Sequence, residues 1–132
     1  MSPTVRPVRR RFVLLLPPLA AAVTGCARLA PVETVERAAF VDGGTAEQRR
    51  EQIRRAAEAL GWRTEDTGLG MIRATLVLRA HTAVVDIPFD ARGFEIRYLF
   101  SINLNHDGSS IHPTYNYWVR NLQRRILVES VA

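Results

Sequence analysis

The chain has 132 residues, with 18 basic and 13 acidic side chains, one cysteine and a formal net charge of +5. A single cysteine excludes an internal disulfide and any site built from several thiolates. The basic residues are all arginine; four precede Cys26 and every acid follows it, so the part after Cys26 is close to neutral and its charge does not argue for nucleic-acid binding.

Residues 1–25 have the three parts of an export signal. Arg6, Arg9, Arg10 and Arg11 form a basic start. Phe12 to Val23 is an apolar run of 12 residues, and small residues then lead to Cys26. A bilayer-spanning helix needs about 20 apolar residues, and Pro17-Pro18 would break one here. A cleaved signal is therefore expected, without a permanent transmembrane anchor. Arg9-Arg10-Arg11-Phe12-Val13-Leu14 resembles a twin-arginine motif. General and twin-arginine export both stay open.

Val23-Thr24-Gly25-Cys26 resembles the lipobox of bacterial lipoproteins at all four positions. Small residues let a membrane-embedded peptidase reach the bond before the cysteine, and a thiol is needed for the thioether to lipid. The resemblance implies lipidation of Cys26, cleavage before it, and acylation of the freed amine. Two or more chains anchor a protein stably. Ala27 follows where an aspartate favours inner-membrane retention in enterobacterial lipoproteins. The resemblance thus implies an envelope protein on the outer membrane, facing the periplasm.

Residues 26–33 read as the lipidated cysteine and a tether. Pro31 argues against a helix across it, and seven extended residues reach at most ~25 Å. Residues 34–132 are expected to form one small domain. Thr34 to Val41 allows a short strand, although Glu36 and Arg37 interrupt its pattern. Asp42-Gly43-Gly44 is a turn.

Thr45 and Gln48 have capping-box spacing and open a helix. Ile53, Ala56, Ala57 and Leu60 make its apolar face, and Gly61 stops it. Glu51 and Arg55 are spaced for an ion pair on the polar face. Trp62 to Asp66 reads as a strand, with its turn at Thr67-Gly68-Leu69-Gly70. Three alternating strands follow. Their apolar faces are Ile72, Ala74, Leu76 and Leu78; Ala83, Val85, Ile87 and Phe89; and Phe94, Ile96, Tyr98 and Phe100. Such alternation predicts an antiparallel sheet with one buried face. Asp90-Ala91-Arg92-Gly93 suits a type I turn.

After a polar loop at residues 105–110, Pro113 or Thr114 opens a second helix. Its stripe is Tyr115, Trp118, Val119, Leu122 and Ile126. Two one-faced helices and a one-faced sheet combine into an α+β, two-layer sandwich of three to four antiparallel strands, with both helices on one face.

Residues 111–122 carry Ile-His-Pro, Tyr-Asn, Trp-Val and Asn-Leu. Together with the lipobox and the strand pattern, this segment is similar to a group of small bacterial lipoproteins. The resemblance implies fold and location, and no particular activity.

His81, His106 and His112 invite a metal reading, but they lack the close spacing of common zinc pairs. Asp107, Ser109, Ser110 and His112 contain the residue types of a hydrolytic triad. Neighbours in one loop seldom converge in that geometry, so no catalytic set, metal site or cofactor is expected. His112, Tyr115 and Asn116 are the candidate ligand-binding residues. Tyr115 and Trp118 also suit a core role. The expected function is a non-enzymatic, lipid-anchored envelope protein. It would act as a binding or assembly module whose partners are the membrane, through lipid on Cys26, and another envelope protein or a cell-wall component. The alternative is a small-ligand or metal-binding lipoprotein using residues 106–118.

Overall fold

A computed structural model describes residues 3–4 and 28–131. The basic start, the apolar run and Cys26 lie outside the described residues. No helix of the described residues is long and apolar enough to cross a membrane.

The chain is α+β. It enters through β1 (Ala30–Pro31) and β2 (Val35–Ala39), followed by α1 (Ala46–Ala59). A four-strand meander comes next: β3 (Arg63–Gly68), β4 (Met71–Leu78), β5 (His81–Pro88) and β6 (Gly93–Ile102). The short β7 (Ser110–Ile111) precedes α2 (Pro113–Glu129). The main sheet has five antiparallel strands in the order β2-β6-β5-β4-β3, and β1 pairs with β7. The expected count of three to four strands is thus too low. The added edge strand is β2, which pairs with β6 through a bulge between Val35 and Ala38. That bulge exposes Glu36 and Arg37 together and hides the period of two.

The helix ends follow from local chemistry. The Gln48 N–H donates to Thr45 Oγ1 at 3.2 Å, and the Thr45 N–H donates to Gln48 Oε1 at 2.9 Å. This completes the capping box. At the other end Gly61 has φ +88°, and Gly61 and Trp62 N–H donate to the Glu58 and Ala57 carbonyls. This is a Schellman stop. Trp62 turns into the core behind it, at 2 % exposure. Leu60, expected on the buried face, is exposed because it caps the helix beyond the last turn. Glu51 pairs with Arg54 at 3.2 Å, whereas Arg55 reaches across to Glu129 at 3.4 Å. The expected Glu51–Arg55 pair is therefore replaced by one contact within α1 and one between helices.

The Leu69-Gly70 turn is tighter than the four residues expected, because Gly68 already pairs with Met71. Gly70 (φ +69°) donates space as well as conformation: a Cβ there would lie 2.8 Å from the Phe89 carbonyl oxygen. Asp90 closes the β5–β6 turn by accepting from the Arg92 and Gly93 N–H groups at 2.8 and 2.9 Å.

One buried cluster joins Ile53, Ala56 and Ala57 of α1, Tyr115, Trp118, Val119, Leu122 and Ile126 of α2, and the Ile72, Val85 and Phe94 faces of the sheet. Arg49 lies in this packing at 1 % exposure. Its Nε donates to the Ala91 carbonyl at 3.0 Å, its Nη1 donates to Gln52 Oε1 at 2.9 Å, and its Nη2 donates to the Asp42 carbonyl. Its guanidinium sits 4.2 Å from the Phe40 ring centroid. One side chain thereby ties α1 to two turns.

Candidate functional site

The alternation of β6 breaks near its end. Val85 pairs with Tyr98, but Val84 pairs with Phe100, so Leu99 is an extra residue in a bulge. A one-residue slip reverses every later side chain. Phe100, expected on the buried face, is therefore turned outward at 52 % exposure, and Ser101 turns inward beside Ala83. The Tyr98 and Ser101 hydroxyls lie 2.9 Å apart as a result. Leu78, also expected inside, is on the inner face but half exposed, lining an open depression with Leu60, Trp62 and Trp118.

Residues 103–109 are folded back on this end. Asn103 and Asn105 have φ of 58° and 53°, a conformation asparagine tolerates better than most residues. Asn103 Nδ2 donates to the Ala80 carbonyl at 2.7 Å, and His81 Nδ1 donates to the Asn103 carbonyl at 2.8 Å. The loop and the β4–β5 turn are thus pinned together. Leu104 is buried, and its carbonyl accepts from the His112 N–H at 2.8 Å. Asp107 Oδ1 accepts from the Ser110 and Ser109 N–H groups at 2.8 and 3.1 Å. Those backbone donors hold its carboxyl below the usual range. The His106 ring stacks on Tyr98 at 4.1 Å between centroids, and Tyr98 meets Tyr115 edge-on at 5.6 Å. An open depression of about 460 Å³ is lined by Tyr98, Phe100, Ser101, Asn103, Leu104, Asn105 and His106.

The three candidate ligand-binding residues have separate neighbours. His112 caps α2, its Nδ1 accepting from the Thr114 N–H at 3.2 Å. Tyr115 is fully buried, and its hydroxyl has no hydrogen-bond partner among the described residues. Burial raises its pKa, reinforced by Tyr98 and Glu33. Asn116 faces the incoming chain. Its Nδ2 donates to the Pro31 carbonyl at 2.8 Å, and its Oδ1 accepts from the Glu33 N–H at 2.9 Å. Arg120 adds an ion pair to Glu33 at 2.7 Å. None of the three lines the depression beside His106.

These contacts shorten the expected tether. Ala30 and Pro31 pair with Ile111 and Ser110, the Val32 N–H donates to the Ser109 carbonyl, and Glu33 is clasped by α2. Residues 30–33 belong to the folded domain, where the sequence alone suggested a loose linker.

Among the described residues, no three histidine, cysteine or acidic side chains are grouped to hold a metal ion. Asp107 is turned into its own loop, and His112 Nδ1 is engaged by the Thr114 N–H. No protein-family model matches the chain, and no curated protein or solved structure matches it.

The bulge at Leu99 was not read from the sequence, and Asn116 was singled out there for ligand binding and not for the clasp on Pro31 and Glu33. The bulge at Leu99 leaves only a faint signal, the run Tyr98-Leu99-Phe100 in which consecutive large apolar residues cannot all face one side. Asn116 carried a clearer one, a polar residue between stripe positions Tyr115 and Trp118.

Proposed function

We propose that the protein is a lipid-anchored module of the bacterial envelope that works by docking and not by catalysis, with its helices as one layer and its sheet as the other. The observation that carries this reading is the employment of the polar residues at 103–120. Asp107 shapes its loop, His112 caps α2 and Asn116 clasps the entering chain. Polar groups bound to backbone in this way organise a scaffold, whereas a catalytic set must converge on a space for substrate. Anchoring rests on the lipobox-like Val23-Thr24-Gly25-Cys26.

Labelling of growing cells with an alkyne fatty acid tests the anchor. The wild-type protein takes up label and fractionates with the outer membrane. Cys26→Ala takes up none and accumulates unprocessed or soluble. Label retained by Cys26→Ala overturns the reading.

One observation favours the small-ligand alternative: the buried Tyr115 hydroxyl without a partner among the described residues, close to the Tyr98–His106 stack. The stability of Tyr115→Phe separates the two.

A further inference from the structure

We infer that the end of the domain bearing Val77, Leu78, Leu99, Phe100 and Ile102 rests on the lipid surface itself, so that the anchored domain has one fixed orientation. This rests on the anchoring of Cys26 proposed above.

The first support is the grouping of apolar side chains. Val77, Leu78, Leu99, Phe100 and Ile102 are 59, 48, 43, 52 and 46 % exposed. Register brings them together: Val77 pairs with Thr82, Thr82 with Ile102, and Val84 with Phe100. Adjacent strands lie about 4.8 Å apart and residues opposite each other share a face, so Val77, Phe100 and Ile102 form one patch on the outer face of β4, β5 and β6, while Leu78, on the other face beside Trp118, and the bulged Leu99 flank it at the same end of the sheet. The bulge at Leu99 enlarges it by turning Phe100 outward. A grouped apolar surface of this kind marks an interaction site.

The second support is where the chain enters. Ala30 pairs with Ile111, and the next residue, His112, bonds to Leu104, two residues past Ile102. The N-terminal chain therefore joins the domain at the same end as the patch. Cys26 precedes Ala30 by four residues, which span at most ~14 Å fully extended. The β1–β7 pairing and the Asn116 clasp prevent residues 30–33 from lengthening that leash. A helix with side chains is about 10–12 Å across, so the gap hardly admits a folded partner between this end and the bilayer. Lipid is the occupant that fits.

Charge agrees. Arg28 and Arg79 are exposed at this end, and basic residues beside an apolar patch suit an anionic bilayer surface. Of the nearby acids, Asp107 is bound to its own loop and Glu33 is paired with Arg120.

The test uses the full-length lipidated protein in vesicles of phosphatidylethanolamine with a minor share of phosphatidylglycerol, with and without brominated acyl chains. Bromine quenches tryptophan that touches the chains. Trp62 and Trp118 are buried, and the wild type in each kind of vesicle gives their emission for subtraction. Phe100→Trp places a reporter in the patch. Leu69→Trp places one at the β3–β4 turn, the opposite end of the sheet, about 25 Å away along β4. Vesicle flotation of the wild type reads the anchor independently. The expected result is flotation of all three proteins, loss of the emission added by Phe100→Trp in brominated vesicles, and retention of that added by Leu69→Trp. Flotation with equal emission from the two variants overturns this inference and leaves the anchor standing. A blue-shifted but unquenched Phe100→Trp also overturns it, since protein or a second copy then covers the patch. Failure of the wild type to float overturns both readings.

Discussion

The side-chain oxygen of Asn116 accepts a hydrogen bond from the backbone N–H of Glu33 at 2.9 Å, and its nitrogen donates to the Pro31 carbonyl at 2.8 Å. The carboxamide thus imitates one rung of a strand ladder. It fixes the point where the N-terminal chain becomes part of the domain. Each net hydrogen bond contributes about 0.5–1.5 kcal/mol, so Asn116→Ala should cost about 1–3 kcal/mol. Hydrogen exchange at Glu33 should quicken much more than exchange in β4 or β5. Equal change throughout the domain would mean that the clasp is not local. Releasing residues 30–33 also adds up to ~14 Å of free leash.

The elements easiest to read in the sequence were those specified by neighbours in the chain. Thr45 with Gln48, Gly61 and Asp90 with Gly93 each declare a helix end or turn, and β4 and β5 keep strict alternation. What escaped reading depends on partners distant in sequence. The bulges at Leu99 and between Val35 and Ala38 exist because β6 must match β5 and β2. Asn116 is polar on a helix because Pro31 and Glu33 lie over it. Arg49 is buried because Asp42 and Ala91 present carbonyls from two separate turns. In each case the residue looks locally out of place, and only the tertiary neighbour explains it.

Arg49 should be among the most sensitive polar positions. Hydrogen bonds to charged groups contribute about 1.5–3 kcal/mol each, and Arg49 holds the Ala91 and Asp42 carbonyls together. Arg49→Ala should cost about 3 kcal/mol or more. Arg49→Lys should recover little, because an ammonium lacks the planar fork that spans both acceptors. Urea denaturation measures both. A midpoint for Arg49→Lys equal to wild type, at unchanged slope, would show that charge alone suffices.

Tyr115→Phe separates the two functional readings. A buried hydroxyl without a partner costs about 1–3 kcal/mol. Its removal should therefore leave stability unchanged or raise it within that range. A loss of more than about 1 kcal/mol would mean that the hydroxyl is already bonded in the free protein, which removes the observation that favours a small ligand.

The two carboxylate-closed turns should respond to acid alike. Backbone donors at Arg92 and Gly93 lower the pKa of Asp90 from its ordinary 3.8, and donors at Ser110 and Ser109 lower that of Asp107. A carboxyl depressed in the fold stabilises it above the unfolded value and ceases to do so as pH falls through the lower, folded value. Both turns should thus persist at pH 3.8 and open below it. The amide resonances of Gly93 and Ser110 report this. In Asp107→Asn the Ser110 shift should lose its acid titration while that of Gly93 keeps it. Titration of both near 3.8 would show that the backbone donors do not hold the carboxylates.

Trp118 decides whether α2 is a core element or a docking surface. It is 8 % exposed, one turn from Tyr115 and Leu122, and borders a depression of about 230 Å³ with Leu60, Trp62, Leu76 and Leu78. Truncating a buried tryptophan to alanine costs about 3–5 kcal/mol, and a domain of this size has roughly 5–15 kcal/mol in total. Trp118→Ala should therefore melt far below wild type or fail to fold. Arg124→Ala removes an exposed side chain and should change stability by less than about 0.5 kcal/mol. Thermal unfolding followed by circular dichroism compares them. A well-folded Trp118→Ala of near-normal stability would mean that the ring is not packed in solution. The stripe from Tyr115 to Leu122 would then be free to engage a partner, and α2 would replace the β4–β6 patch as the main docking surface.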